Sequence, residues 1–226
     1  VISSSKPVVI TGSQRSGTDR WPDGPGNIEA AIRVAADPLS RNKGVVVVFS
    51  GAIHEGREIN KIHTYALDPF DSRDKGRLGY VYPDRIVYYR EPQRKPLLLS
   101  EYADFPVEAI LFYAGADEKI IEFLIGQGVR GIVIEALGLG NVNEHFYRGI
   151  EKARESGIEI VITTHCYCGR VVPTYAYPGG GVSLQRLGAI FAGSLSSSKA
   201  RLLLKLALSC QIPHEELQEF FDAYCG

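Results

Sequence analysis

The second half of the chain alternates between short apolar runs and segments with helical periodicity. The alternation comprises strands over 107–113, 130–135 and 158–163, and helices over 117–127 and 144–156. Strands joined by helices of this length need right-handed crossovers, and they therefore lie parallel in one sheet. A short strand over 189–192 and two helices over 197–210 and 213–223 follow. This half is predicted to be an α/β domain.

The first half opens with a β-branched strand over 7–11 that ends at Gly12 in a polar loop. The helix that follows covers about residues 26–36, and Asp23 or Gly24 is predicted to cap it. Residues 44–50 read as a strand buried on both faces, which is typical of a parallel sheet. Ligands of open α/β sheets bind at the carboxyl ends of strands, so the loop after Gly12 is a candidate site.

Residues 51–71 have weak periodicity, and we expect an extended segment and loop near that site. A hairpin is predicted around residues 83–85. Residues 90–106 are rich in proline and charge and lack an amphipathic pattern, which indicates a linker. The predicted domains are therefore 1–89 and 107–226.

Composition narrows the function classes. The chain has 226 residues, 45% of them hydrophobic, and a formal net charge of −1. This balance carries no electrostatic signature for nucleic acid or an anionic membrane. No run reaches the length of a membrane span, and no secretory-type start is seen, so the cytoplasm is the expected location. The chain contains no methionine, from which we expect a fragment of a longer product.

Two motifs could suggest a binding site, but for each we favour a purely structural interpretation. His165, Cys166 and Cys168 could suggest zinc, but a C-x-C pair without a second pair of ligands at zinc spacing is more simply the end of a strand. The loop over 138–143 (GLGNVN) lacks the third glycine and the acidic partner of a nucleotide fingerprint, so it reads as a structural turn. We expect neither a metal nor a cofactor.

Several runs, in order and spacing, resemble the bacterial-type L-asparaginases. They are TGSQR, DGPGNI, RVAAD, GVVVVFS, REINKIHT and, near the end of the chain, SSSKARLLLKLAL. The resemblance implies an α/β protein of two domains. The first would hold an incomplete asparaginase-type sheet, and the second a smaller, flavodoxin-like parallel sheet.

The resemblance also implies two site residues. Lys61 in REINKIHT matches the catalytic lysine, which works with a threonine and an aspartate to activate a threonine nucleophile against the side-chain amide. By itself, Lys61 would read as a solvated surface lysine. Ser13 matches a position beside the bound amide group, although a loop serine that caps its turn would look the same.

The chain departs from the family pattern in important places. The nucleophile motif (T-G-G-T-I-like) and the Thr-Asp motif (H-G-T-D-T-like) occur nowhere in it, so we expect the chain itself to be inactive and its first sheet to expose apolar edges. In the periplasmic-type enzymes, an asparagine and a glutamate from a neighbouring subunit complete the site. The matching regions here, 113–116 and 175–181, carry no acidic residue, which suggests another branch and a different preference between asparagine and glutamine.

Three hypotheses follow from the resemblance. The first is an L-asparaginase that acts as a homodimer or homotetramer. The second is an amide-hydrolysing subunit like that of the archaeal glutamyl-tRNA amidotransferase, which needs a partner chain. The third is a binding protein that keeps the fold without the nucleophile.

Overall fold

A computed structural model describes residues 4–93 and 104–225. The chain divides into two compact units, Val1–Leu97 and Leu98–Gly226. Most of the predicted linker, 90–106, lies outside the described residues. The exact domain limits of 1–89 and 107–226 therefore stay a prediction.

The described residues of the first unit form one α-helix, two short 3-10 helices (Pro38–Ser40 and Arg73–Lys75) and a five-stranded sheet in the order β1-β2-β3-β6-β7. These elements are β1 (Val8–Ile10), α1 (Gly24–Ala36), β2 (Val45–Phe49), β3 (Ala52–Glu55), β6 (Gly79–Val81) and β7 (Ile86–Tyr88). Two short strands, β4 (Asn60–Lys61) and β5 (Phe70–Asp71), form a separate ladder. The predicted hairpin is confirmed, because β6 and β7 pair antiparallel.

The expectation of a parallel first sheet was wrong beyond its first pair. Strand β1 pairs parallel with β2, but β2 pairs antiparallel with β3, a strand that the sequence pattern did not reveal. The two-residue turn Ser50–Gly51 joins them, and both residues have positive φ, 48° and 76°, as tight hairpins require.

Burial of β2 on both faces was also wrong. Val46 and Val48 are fully buried, whereas Val45 and Val47 are only partly buried. The buried pair packs in a core with Ala30, Ala31 and Val34 of α1. A direct hairpin supplies no crossover helix for the opposite face, so that face of β2 is covered less completely, with Phe49 as its buried residue.

Strand β1 lies at the edge of its sheet. Its side chains Val8 and Ile10 are 36% and 50% exposed. The predicted apolar edge is therefore present in the structure.

The second unit contains a four-stranded parallel sheet in the order β11-β10-β9-β8. Its elements are β8 (Val107–Leu111), α2 (Lys119–Gly126), β9 (Gly131–Ala136), α3 (Glu144–Glu155), β10 (Glu159–Thr164), α4 (Gly181–Arg186), β11 (Ile190–Phe191), α5 (Ser197–Ser209) and α6 (His214–Cys225). The predicted α/β class is confirmed. The likeness to flavodoxin does not extend to strand order, since these strands follow the chain without the reversal of a flavodoxin sheet.

Alternate residues of the central strands pack into two separate hydrophobic cores in this unit. Ile134 and Ile162 join Phe146 of α3 in one core. Val133 and Val161 join Leu204 of α5 in the other, together with α6 side chains. Side chains of a strand point alternately to its two faces, so the sheet is covered on both sides.

The loop over 138–143 is a structural turn. Leu137 and Asn141 form an antiparallel bridge across it. Asn143 then caps α3, because its Oδ1 accepts a hydrogen bond from the Phe146 N–H at 2.8 Å. Across residues 4–93 and 104–225, no helix combines the length and apolar character needed to cross a bilayer.

Candidate functional site

The candidate site lies at the carboxyl ends of β1 and β2, where Asn27 of α1 ties the chain segments together. Its Nδ2 donates to the carbonyl of Gly12 at 3.0 Å and to Asp23 Oδ2 at 3.1 Å. Its Oδ1 accepts from the Ser50 N–H at 2.9 Å. Asn27 is buried, and the loop after β1 is therefore fixed against the turn after β2.

Asp23 organises the loop from the start of α1. It occupies the N-cap position, as one of the two predicted residues, although its side chain makes no capping hydrogen bond to the helix. The carboxylate accepts from the backbone N–H groups of Gln14 and Arg15, each at 2.9 Å. Burial by itself would raise the pKa of Asp23, but these bonds and that from Asn27 lower it below its ordinary value.

Gln14 joins this loop to the segment that carries Lys61. Its Nε2 donates to the carbonyls of Thr64 and Ala66, at 3.2 and 3.0 Å. Its Oε1 accepts a hydrogen bond of 2.7 Å from Lys61 Nζ.

Lys61 lies in β4, opposite Phe70 of β5. It is exposed, and Nζ lies 6.0 Å from the centroid of the Phe70 ring. The short ladder holds the backbone of Lys61, and Gln14 holds the end of its side chain.

Ser13 directly precedes Gln14 and is also exposed. It lies close to the start of α1, since a β-carbon placed on Gly24 would be 3.5 Å from Ser13 Cβ. The two predicted site residues, Ser13 and Lys61, thus lie on segments that Gln14 connects. Their catalytic and binding roles stay predictions.

Sequence reasoning missed the connecting residues. Gln14, Asp23 and Asn27 all stand within the motif runs TGSQR and DGPGNI, but nothing in those runs shows that they bond to one another. The link from Gln14 to residues 61–66 spans about fifty positions of the chain. No local periodicity reports such a contact.

The site combines an amine, a fixed amide and an accessible hydroxyl. An amine can exchange a proton, and an amide or hydroxyl can orient a polar substrate group. Within residues 4–93 and 104–225, no three His, Cys, Asp or Glu side chains are grouped so as to hold a metal ion. Cys166 and Cys168 follow β10, and neither forms a disulfide within the described residues.

The mixed sheet of the first unit and the parallel sheet of the second define an α/β protein with a lysine presented beside the strand ends. The family model "Asparaginase, N-terminal" matches residues 1–94. The model "Glutaminase/Asparaginase C-terminal domain" matches residues 106–221. The chain belongs to the asparaginase family, and the predicted resemblance is confirmed.

Curated relatives agree with this assignment. An L-asparaginase of Bacillus licheniformis is 34% identical over 92% of this chain and 65% of its own length. L-asparaginase 2 of Escherichia coli is 32% identical over 99% of this chain and 64% of its own length. A glutamyl-tRNA(Gln) amidotransferase subunit of Methanococcus maripaludis is 31% identical over 76% of this chain and 44% of its own length. The chain thus spans just under two thirds of the length of the L-asparaginases that it matches.

Proposed function

We propose that the protein represented by this chain is an L-asparaginase, which hydrolyses the side-chain amide of L-asparagine to L-aspartate and ammonia. The observation that carries the proposal is the placement of Lys61. Its amine is exposed at the strand-end loops and is held there by Gln14 at 2.7 Å. Relatives named L-asparaginase, 32% and 34% identical to this chain, support the same reaction.

In the proposed mechanism, Lys61 accepts the proton of a threonine hydroxyl as that hydroxyl attacks the amide carbonyl. That proton passes to the departing amide nitrogen, the C–N bond breaks and ammonia leaves. Water then hydrolyses the ester of the acyl-enzyme, which releases L-aspartate and restores the threonine hydroxyl. Donors around the tetrahedral oxyanion stabilise its charge. Ser13 contributes by orienting the amide group of the substrate.

Lys61→Ala tests the role of the lysine in the active protein. We expect kcat to fall by at least about 100-fold with little change in KM, because a general base acts mainly in the transition state. Steady-state ammonia release from L-asparagine and L-glutamine measures both constants. Lys6→Ala, at an exposed lysine of the same unit, is the control. An unchanged kcat in Lys61→Ala would remove Lys61 from the mechanism.

We also propose that residues 1–226 alone are inactive, since neither the nucleophile motif nor the Thr-Asp motif occurs in them. Ammonia release by the purified chain, with its intact mass verified, tests this. Activity would require another nucleophile within the chain.

An amidotransferase subunit is the second candidate. The 31% identity to the glutamyl-tRNA(Gln) amidotransferase subunit of Methanococcus maripaludis favours it. This function requires a partner chain, so co-purification of a second subunit or of tRNA would support it. Sedimentation velocity of the purified protein separates it from our first proposal, for which we expect a cytoplasmic homodimer or homotetramer.

A further inference from the structure

We propose that Cys166 and Cys168 form a reversible dithiol–disulfide site, at which a small-molecule disulfide such as oxidised glutathione takes two electrons from the two thiols. The site lies in the second unit, in the loop that follows β10. It takes no part in the proposed hydrolysis. It can therefore be tested in the purified chain without any activity measurement.

The two cysteines differ from the other cysteines of the chain in their accessibility. Cys168 is exposed and Cys166 is partly buried, and neither forms a disulfide. Cys225 is instead buried in a core that it shares with side chains of α5, and Cys210 lies at the end of α5. The reactivity of a cysteine depends on access as well as on thiolate character. Cys168 is therefore the thiol of this pair that a solute reaches first, and Cys166 is the nearest thiol to it along the chain.

The course of the backbone places the two thiols within disulfide reach. A fully extended chain separates residues i and i+2 by about 6.6–7.2 Å, at the upper limit of the Cα–Cα distances of about 4.4–6.8 Å that a disulfide allows. The chain is not extended here, because β10 ends at Thr164 and the backbone bends at Tyr167. Gly169 turns it further with a φ of 89°. Since a bend shortens this distance, Cys166 and Cys168 can pair without any change in the sheet.

Hydrogen bonds hold the loop at both ends. The N–H of Cys166 donates to Thr164 Oγ1 at 3.1 Å, directly after the strand. At the far end, the N–H of Val171 donates to the carbonyl of Gly193 at 3.0 Å. A disulfide between the two cysteines therefore closes between fixed points, and it changes the backbone only inside this loop.

The oxidation proceeds by two thiol–disulfide exchanges. The thiolate of Cys168 attacks one sulfur of the small-molecule disulfide, which breaks the S–S bond of that molecule and releases one thiol. The thiolate of Cys166 then attacks the Cys168 sulfur of the mixed disulfide and displaces the second thiol. Two protein thiols and one small disulfide thus become one protein disulfide and two small thiols, and the two electrons and two protons pass to the oxidant.

Differential alkylation tests the site in the purified, fully reduced chain. The chain is incubated with excess oxidised glutathione and quenched with iodoacetamide in denaturant, and its tryptic peptides are measured by mass spectrometry. Trypsin cuts after lysine and arginine, so peptide 155–170 carries both cysteines of the site, and peptide 206–226 carries Cys210 and Cys225. We expect peptide 155–170 to lose two hydrogen atoms and to take up no alkyl group. Excess reduced glutathione should restore both thiols, because exposed disulfides are readily reduced.

Two serine variants separate the roles of the thiols. In Cys166→Ser, the mixed disulfide on Cys168 has no thiol to displace it and should persist as a glutathione adduct. In Cys168→Ser, the partly buried Cys166 should form its adduct at least about tenfold more slowly, since exchange depends on access to the sulfur. Cys210→Ser is the matched control and should leave closure of peptide 155–170 unchanged.

The wild-type measurement decides the proposal even if a variant does not fold. Uptake of two alkyl groups by oxidised peptide 155–170 would overturn it. A glutathione adduct that never closes, or a cross-link to Cys210, Cys225 or a second chain, would overturn it as well. Equal rates of adduct formation in the two serine variants would overturn the assignment of Cys168 as the thiol that is attacked first.

Discussion

At the scale of single residues, His54 in β3 stands out because it is a fully buried titratable group. Its Nδ1 lies 2.7 Å from Ser72 Oγ, and within the described part of the chain its buried Nε2 has no hydrogen-bond partner. Burial lowers the pKa of His54 to about 4, and the nearby charge of Arg77 acts in the same direction. A protonated ring would have to bury both a charge and an unsatisfied N–H.

We therefore expect His54 to weaken the first unit in acid. The pKa in the folded state is about 4 and the ordinary value is 6.5, so between these values the unfolded chain binds more protons. The free energy of unfolding should fall as pH drops from 6.5 toward 4, by on the order of 1–2 kcal/mol between pH 7 and pH 5. Hydrogen exchange of peptides covering residues 45–55, followed as a function of pH, measures this fall in the free energy of unfolding. His54→Asn should flatten the dependence, and His145→Gln, at an exposed histidine, should leave it unchanged. If the pH dependence of stability persists in His54→Asn, groups other than His54 cause it.

At the scale of elements, a small ionic cluster ties three segments of the second unit together. Arg154 near the end of α3 donates to Glu159 at the start of β10 at 2.5 Å. His214 Nδ1, at the start of α6, lies 2.8 Å from the same carboxylate oxygen. Arg154 also donates to the carbonyl of Ile158 at 2.9 Å. The largely buried carboxylate of Glu159 therefore connects strand β10 to both α3 and α6.

Glu159→Gln should destabilise the second unit by about 1–3 kcal/mol, because it leaves the partly buried Arg154 without its counter-charge. Urea denaturation followed by circular dichroism measures the change. Glu144→Gln is the matched control, since it breaks the exposed i,i+4 pair with Arg148, and a change below about 0.5 kcal/mol is expected there. Equal effects of the two substitutions would show that burial of the ionic cluster adds nothing to the stability of the second unit.

At the scale of the whole molecule, the second unit has its own apolar cores on both faces of a four-stranded sheet. Residues 104–226 expressed alone should therefore unfold in a single cooperative transition, as small domains with complete cores do. Thermal denaturation followed by circular dichroism, with dispersed amide resonances at low temperature, is the test. A broad, non-cooperative melt would show that this unit depends on the remainder of the chain, and would contradict the predicted domain limits.

The sequence by itself determined the elements with strong local signals. Alternating strands and helices over 107–163 predicted the parallel sheet, because each crossover helix leaves its own periodicity in the chain. Turn residues around 83–85 predicted the hairpin of β6 and β7. The motif runs identified the family and indicated Lys61 and Ser13 as site residues.

Only the tertiary structure decided what depends on pairing between distant residues. Strand β3 is four residues long and is recognisable only by its register against β2, so the mixed sheet could not be read from periodicity. Asp23 occupies the N-cap position of α1 that the sequence predicted, but only the folded loop brings the N–H groups of Gln14 and Arg15 to its carboxylate. The bond from Lys61 to Gln14 closes across 47 positions. Local sequence patterns encode local backbone preference, whereas contacts across such distances exist only once the chain has folded.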